Sequence, residues 1–152
     1  MSFVCLDSSI LVKLLTWEDG SEAAAELMDR VVESGQTVIL PAFAWAEVGS
    51  VLRKKVRKKE ITPEEAGEAW RMFRRLRIIS YQDNEKVSGA AWEIAAKENL
   101  STLYDAAYLA VAEVAAKDAG KVCEFWTADE RLVNSLDGRK KYVRLLQNKK
   151  RL

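Results

Sequence analysis

The sequence predicts an α/β fold: a three-layer α/β/α sandwich around a mostly parallel sheet of about five strands, in one domain over residues 1–152. Three observations predict it. Short apolar runs of strand length alternate with segments of helical periodicity. The 152 residues suffice for one sizeable core and are too few for two comfortable ones. No repeat, linker or low-complexity segment divides the chain.

Phe3–Asp7 reads as the first strand. Ser9–Leu15 reads as a short helix, broken at "WEDGS" by Gly20. Ser21 opens a helix to about Glu33 that Gly35 stops. "TVIL" (37–40) is a second buried strand, closed by Pro41, and a helix follows from about Phe43 to Lys58. "TPEE" (62–65) starts the next helix, with Thr62 as cap, Pro63 in the first turn and Glu65 completing a capping box. Ala66, Ala69, Trp70, Phe73 and Leu76 then recur at helical spacing, as a core or dimer face does. "RIISY" (77–81) is a third strand, and Asp83 caps a helix carrying Val87, Ala91, Ile94 and Ala95 on one side. The apolar segment 102–116 is a buried helix. "VCEFW" (122–126), "TADERLVNSL" (127–136) and "YVRLL" (142–146) complete the series as strand, short helix and strand. In parallel sheets of this kind the functional crevice lies at the carboxyl ends of the strands. Asp7 ends the first strand and Asp129 lies just past the fourth.

Composition excludes several chemistries. The chain has no histidine, which removes Ser-His-Asp and Cys-His hydrolases, histidine-based acid–base nucleases and imidazole ligation of zinc or haem. Cys5 and Cys123 form no metal motif and read as buried free thiols, bridged only if their strands are neighbours. Residues 1–15 lack a basic leader, and Asp7 interrupts their apolar run, so no signal peptide is expected. The longest charge-free stretch, 34–46, contains Pro41 and is too short to span a membrane. A cytoplasmic location is the resulting expectation.

The net charge of +1 conceals an asymmetry: +6 over 53–77, +7 over 139–152 and −12 over the remainder. Basic clusters beside an acidic body suggest a polyanionic partner, RNA in the reading developed below. Arg53, Lys54, Lys55, Arg57 and Lys58 are the candidate contacts, although the same run suits a solvated helix end, where cations favour the dipole.

Four acids interrupt apolar surroundings: Asp7 after "VCL", Glu47 in "PAFAWAEVGSVL", Asp105 in "STLYDAAYLAVA" and Asp129 in "FWTADERL". Partly buried carboxylates are costly unless capped, paired or bound to metal. Each has a local alternative. Asp7 and Asp129 can cap or begin helices, Glu47 gains from a helix dipole, and Asp105 can pair with a lysine or arginine. As a set they can converge on one crevice and then need a cation, since two carboxylates 4 Å apart repel by about 4 kcal/mol at an effective dielectric near 20. Oxygen-only ligands favour Mg²⁺ or Mn²⁺, with Ser9 and Thr127 orienting the acids. Such an ion beside basic clusters points to phosphodiester hydrolysis. Trp17, Trp45 and Tyr104 are candidates to stack bases, or else core aromatics.

"LDSSILVKLL" (6–15), "LPAFAWAEVGSVLRK" (40–54), "LYDAAYLAVA" (103–112) and "TADERLV" (127–133) occur in that order over nearly the whole chain. Together they resemble the PIN-domain endoribonucleases, most closely the small VapC toxins of prokaryotic toxin–antitoxin pairs. The resemblance implies that Asp7, Glu47 and Asp105 are the core metal-holding acids and Asp129 a fourth, more variable one. It makes Ser9 and Thr127 the hydroxyls beside them. It further implies the strand order 3-2-1-4-5, with Cys5 and Cys123 on neighbouring strands, a homodimer, and a small antitoxin whose tail covers the crevice. A housekeeping RNA-processing nuclease and a non-catalytic RNA-binding scaffold are the alternative functions.

Overall fold

The computed structural model describes residues 2–147, so the last five residues of the basic tail lie outside the described residues. The chain runs β1 (Phe3–Leu6), α1 (Ser8–Leu15), α2 (Ser21–Glu33), β2 (Thr37–Pro41), α3 (Ala44–Arg57), α4 (Pro63–Arg74), β3 (Ile79–Gln82), α5 (Glu85–Glu98), α6 (Leu103–Ala119), β4 (Glu124–Thr127), α7 (Glu130–Leu136) and β5 (Val143–Leu145). The five strands form one sheet in the order β3-β2-β1-β4-β5, and every pairing is parallel. This is the expected α/β architecture and strand order.

A parallel sheet needs a crossover between successive strands, and the helices that supply it cover both faces. The central strands accordingly carry continuous apolar runs. Val4, Cys5 and Leu6 of β1 and Val38, Ile39 and Leu40 of β2 are buried. The alanine-rich α6 is buried from Ala106 through Ala112 because small side chains let it lie close against the sheet.

Several boundaries differ from expectation for local reasons. The cap of α5 is Asn84, not Asp83, because the Asn84 side chain accepts from the Val87 backbone N–H at 3.0 Å. Pro41 is the last residue of β2 rather than the residue beyond it, placed where a missing N–H is tolerated. β4 continues through Thr127, and α7 therefore begins only at Glu130. The predicted capping box at Thr62 is present in full, with Thr62 accepting from Glu65 and Glu65 accepting from Thr62.

Gly49 lies inside α3, where Gly ordinarily costs stability. Here a Cβ would come within 3.0 Å of the Trp70 ring, so glycine lets α4 pack directly on α3. Cys5 and Cys123 are both buried and unbridged. Burial pushes both thiols up, Cys123 to about 12, so neither is a thiolate at neutral pH. Among the described residues no helix is long and apolar enough to cross a membrane.

Candidate active site

The strand order places a reversal at β1. The chain first adds β2 and β3 on one side of it, then crosses to add β4 and β5 on the other. Loops leaving the carboxyl ends of β1 and β4 therefore diverge and open a crevice between them. Asp7 leaves β1 into this crevice, and Thr127 and Asp129 leave β4 into it. Glu47 comes from the first turn of α3 and Asp105 from the first turn of α6.

Asp7 is 7% exposed and occupies the N-cap position of α1, yet its side chain makes no cap hydrogen bond. The capping alternative therefore fails at this residue. Instead Oδ2 accepts from Thr127 Oγ1 at 2.7 Å and from Ser9 Oγ at 3.0 Å. Ser8 adds a longer contact from its hydroxyl to Oδ1 at 3.4 Å. The two hydroxyls also accept from the facing loop: Thr127 Oγ1 from the Asp129 N–H at 3.0 Å, and Ser9 Oγ from the Ala128 N–H at 3.1 Å. Ser9 and Thr127 thus hold Asp7 and tie the β1 and β4 loops together.

Asp129 does serve as a helix cap. Its Oδ1 accepts from the N–H groups of Arg131 and Leu132 at 3.0 and 3.3 Å. Among the described residues its second oxygen has no partner, so capping leaves one carboxylate oxygen uncommitted. The alternative for Asp105, a lysine or arginine partner, is not met, because it carries no ion pair or hydrogen bond among the described residues.

Glu47 exposes a residue that the sequence reading missed. Tyr108 donates its hydroxyl to Glu47 Oε1 at 2.7 Å. The available signal was spacing: Tyr108 lies three residues after Asp105 and so shares its helix face. Phe43 meets both Tyr104 and Tyr108 edge-on, with centroids 5.1 and 5.9 Å away, and Tyr108 stacks at a tilt on Phe125 of β4. This aromatic chain seats the first turns of α6 on the sheet, with Asp105 between its two tyrosines.

The acids feel one another. Burial raises Asp7 above its ordinary range, the Thr127 and Ser9 hydrogen bonds oppose this, and the Asp129 charge adds to it. Burial likewise raises Glu47 against its Tyr108 hydrogen bond, with Asp7 and Asp105 contributing. Asp105 is raised by burial and then by Asp7 and Asp129, with Arg131 offsetting part of the effect. Burial and the Glu47 charge raise the Tyr108 phenol, which therefore stays protonated and donating. The structure thus brings all four predicted acids to one crevice.

Their chemistry suits a hard divalent ion: oxygen donors only, mutual repulsion that a cation relieves, and free oxygens on Glu47 and Asp129. Among the described residues no group of three or more acids or thiols stands close enough to hold an ion without adjustment.

The PIN-domain family profile matches residues 4–134. The chain belongs to the PIN-domain family. Ribonuclease VapC3 of Pyrobaculum aerophilum is 33% identical over 112 residues, covering 71% of this chain and 79% of that protein, and the PIN domain here is VapC-like. A solved structure described as a toxin–antitoxin complex from Klebsiella pneumoniae superposes with a TM-score of 0.63 at 16% identity, covering 95% of this chain and 98% of the other. The crystal structure of PAE2754 from Pyrobaculum aerophilum superposes at 0.55 and 17%, covering 89% and 86%. At these identities the two structures speak to the fold of the PIN domain alone.

The basic run divides. Arg53, Lys54 and Arg57 are exposed on α3, and Lys58 is exposed just past its end. Lys55 is not available in the same way, since it pairs with Glu18 at 2.8 Å and with Glu60 at 3.4 Å. Arg53, Lys54 and Arg57 rim a largely apolar groove of about 680 Å³ between α3 and α4, with Trp45 and Trp70 in its wall. Trp17, Trp45 and Tyr104 are exposed rather than core, at 80%, 50% and 58%.

Proposed function

We propose that this PIN-domain chain is a nuclease that hydrolyses phosphodiester bonds of RNA with Mg²⁺ or Mn²⁺, and that it serves as the toxin of a VapBC-type pair. One observation carries the chemistry: four partly buried carboxylates face a common crevice, three of them driven up by burial and by each other. The relationship to a ribonuclease named VapC3 supports the substrate class.

Asp7, Glu47, Asp105 and the free oxygen of Asp129 would hold the ion, which when bound supplies water activation and neutralises charge on the phosphate oxygens. The remaining work falls to the chain. Thr127 and Ser9 hold Asp7 Oδ2, so the carboxylate is oriented before anything binds. Tyr108 holds Glu47 Oε1, and among the described residues Oε2 has no hydrogen-bond partner. Arg53, Lys54, Arg57 and Lys58 attract the phosphate backbone, and binding through them weakens steeply with salt. Without a cation the crevice repels the same backbone.

The antitoxin reading draws on the toxin–antitoxin complex that shares this fold. The α3–α4 groove begins beside Glu47, at Trp45 and Ala46, and its apolar floor with basic rim suits an acidic amphipathic segment. An antitoxin seated there competes with RNA for Arg53, Lys54 and Arg57. The homodimer is a further expectation, checked by light scattering.

The deciding experiment is a calorimetric Mn²⁺ titration of the metal-free protein beside Asp105→Asn, followed by an RNA cleavage assay. Saturable binding by the parent, lost in the variant together with cleavage, supports the site. Salt-dependent RNA binding that ignores chelator, with no cleavage and no Mn²⁺ uptake, overturns it in favour of a non-catalytic scaffold.

A further inference from the structure

Beside the acidic crevice lies a second concavity of about 500 Å³, between the carboxyl ends of β2 and β3 and the first turns of α5 and α6. Its size falls within the range of small-ligand sites, about 300–1,000 Å³. Its walls differ in kind. On one side stand Tyr104 and Leu103, 58% and 46% exposed, in the residues just before Asp105. Phe43 also lines the cavity and meets the Tyr104 ring at 5.1 Å in a T-shaped contact, so this exposed aromatic is braced by a second ring. The opposite wall carries Gln82 and Asp83 at the end of β3, above an apolar floor that includes Val87. Gln82 gives one amide N–H to Ser80 Oγ at 3.4 Å, which leaves its second N–H to donate and its carbonyl oxygen to accept. Asp83 has no hydrogen bond or ion pair among the described residues. The polar wall therefore offers the two acceptor oxygens of Asp83 beside a Gln82 amide that can donate or accept, and the other wall carries an aromatic ring.

We propose that this cavity is a nucleobase pocket selecting a guanine beside the bond that is cut, an inference that rests on the RNA-cleaving reading of the neighbouring acids. Sequence-specific recognition of single-stranded RNA works by stacking a splayed base on an aromatic ring and reading its edge by hydrogen bonds. Tyr104 supplies the ring. The edge must then offer donors to Asp83, while Gln82 can give its free N–H to an acceptor beside them. Guanine presents two adjacent N–H donors, at N1 and at its exocyclic amine, and these match the two oxygens of a carboxylate. Adenine and cytosine present one exocyclic amine beside an acceptor, and uracil one N–H between two acceptors, so each sets an acceptor against the Asp83 charge. A phosphate group is excluded for the same reason, with Asp83 on one side and the Asp105 cluster on the other. Tyr104 and Asp105 are consecutive in the first turn of α6, so the cavity and the acids are neighbours.

The test measures base preference separately from cleavage. Labelled hexauridylates carrying one central guanosine, inosine, adenosine or cytidine are titrated by fluorescence anisotropy at low salt with Ca²⁺ in place of Mn²⁺, so that the crevice charge is offset, and their cleavage is followed in parallel with Mn²⁺. The guanosine oligomer is expected to bind about tenfold more tightly than the adenosine one, with inosine, which lacks the amine, between them. Tyr104→Ala should weaken binding of every oligomer about tenfold, the scale of one lost base–aromatic stack. Asp83→Asn should erase the guanosine preference while leaving the stacking contribution in place. Asp83 is exposed, so Asp83→Asn is expected to keep the parent's melting temperature; Tyr104→Ala gives up its contact with Phe43 and is expected to melt slightly lower, so folding is checked for both and binding is measured well below either midpoint. Oligomers that bind without base preference, or not at all, overturn the pocket. So does an enzyme that cleaves RNA with the same base preference in parent and both variants, and in that case the nuclease reading survives alone. A guanosine preference lost in Asp83→Asn, in a protein that cleaves nothing, upholds the pocket and removes the nuclease reading.

Discussion

Glu18 and Asp105 are both partly buried acids near helix ends, and the chain treats them in opposite ways. Glu18, in the turn between α1 and α2, is gripped by Lys13 at 2.9 Å and by Lys55 at 2.8 Å. Burial pushes its carboxyl up, but the two lysines outweigh that and hold it below the ordinary carboxylate range. Asp105 is pushed up by burial and pushed further by Asp7 and Asp129, with Arg131 offsetting only part of this. Where the fold needs an acid neutralised, it brings two ammonium groups across from different helices. In the crevice it brings more acids. The difference supports the view that the crevice acids are balanced by a charge from outside the chain, and that stability has been given up there for chemistry.

The sharpest way to break this comparison is to neutralise one acid of each kind and compare signs. Asp105→Asn should lower RNA cleavage by about 10³-fold or more, roughly 4 kcal/mol of transition-state stabilisation. In metal-free protein the same change should raise the melting temperature, because it removes one charge from a repelling set. Glu18→Gln should lower the melting temperature and leave cleavage within a few-fold of the parent. A metal-free Asp105→Asn protein that melts below the parent would remove the repulsion argument, whatever happens to its activity.

Tyr108 sharpens the comparison within the crevice, because it is the one neutral donor assigned to Glu47. Tyr108→Phe keeps the ring that packs on Phe43 and Phe125 and removes only the 2.7 Å hydrogen bond. Hydrogen bonds to charged groups contribute about 1.5–3 kcal/mol. Part of that is recovered when Glu47 turns toward the crevice. The expected result is a loss of about tenfold in kcat with a melting temperature close to that of the parent, and an acid limb of the pH–rate profile moved upward as Glu47 loses a stabilising donor. A drop in melting temperature with no change in the pH profile would make Tyr108 a packing residue alone.

How far the sequence carried the reading differs by element. The α/β class, the helix order and the capping box at Thr62 were legible because each rests on local chemistry: apolar runs, helical spacing and reciprocal side-chain caps. The four acids were legible because each interrupts an apolar stretch, where a carboxylate needs a reason. Asp83 was read as the cap of α5 because Asp and Asn are nearly equivalent there, and only backbone geometry decides for Asn84. Lys55 could not be separated from Lys54 by sequence. Its partner Glu18 lies 37 positions away, on a turn whose approach depends on how α1 and α2 pack on α3. Tyr108 was hidden for the same reason: its hydroxyl finds Glu47 only because α3 and α6 converge at the carboxyl edge of the sheet. The dual use of Asp129, one oxygen on the helix cap and one free, depends on atoms rather than residue types.

The smallest effect is the one that separates the two acid sites by pH, and its sign follows from the direction of each shift. Asp105 in the folded, metal-free protein has its carboxyl raised above the ordinary value of 3.8. Between that value and its raised one, the folded state holds more protons than the unfolded state, so stability falls as pH rises through the interval. Glu18 is depressed below its ordinary value of 4.5. Its contribution is complete above that value and is lost as pH falls through the depressed one. A melting curve against pH should therefore bend in opposite senses in the two windows. The Glu18 part is modest, since partly exposed ion pairs contribute about 0.2–1 kcal/mol, or up to a few degrees in a chain of this length. Asp105→Asn should flatten the upper limb only, and Glu18→Gln the lower limb only. Mn²⁺ should act as Asp105→Asn does on the upper limb, because a bound ion keeps the crevice acids charged, and it should leave the lower limb untouched. If Mn²⁺ altered both limbs equally, the ion would be acting on the whole surface charge, and the contrast between the lysine-paired acid and the acids left facing one another would lose its meaning.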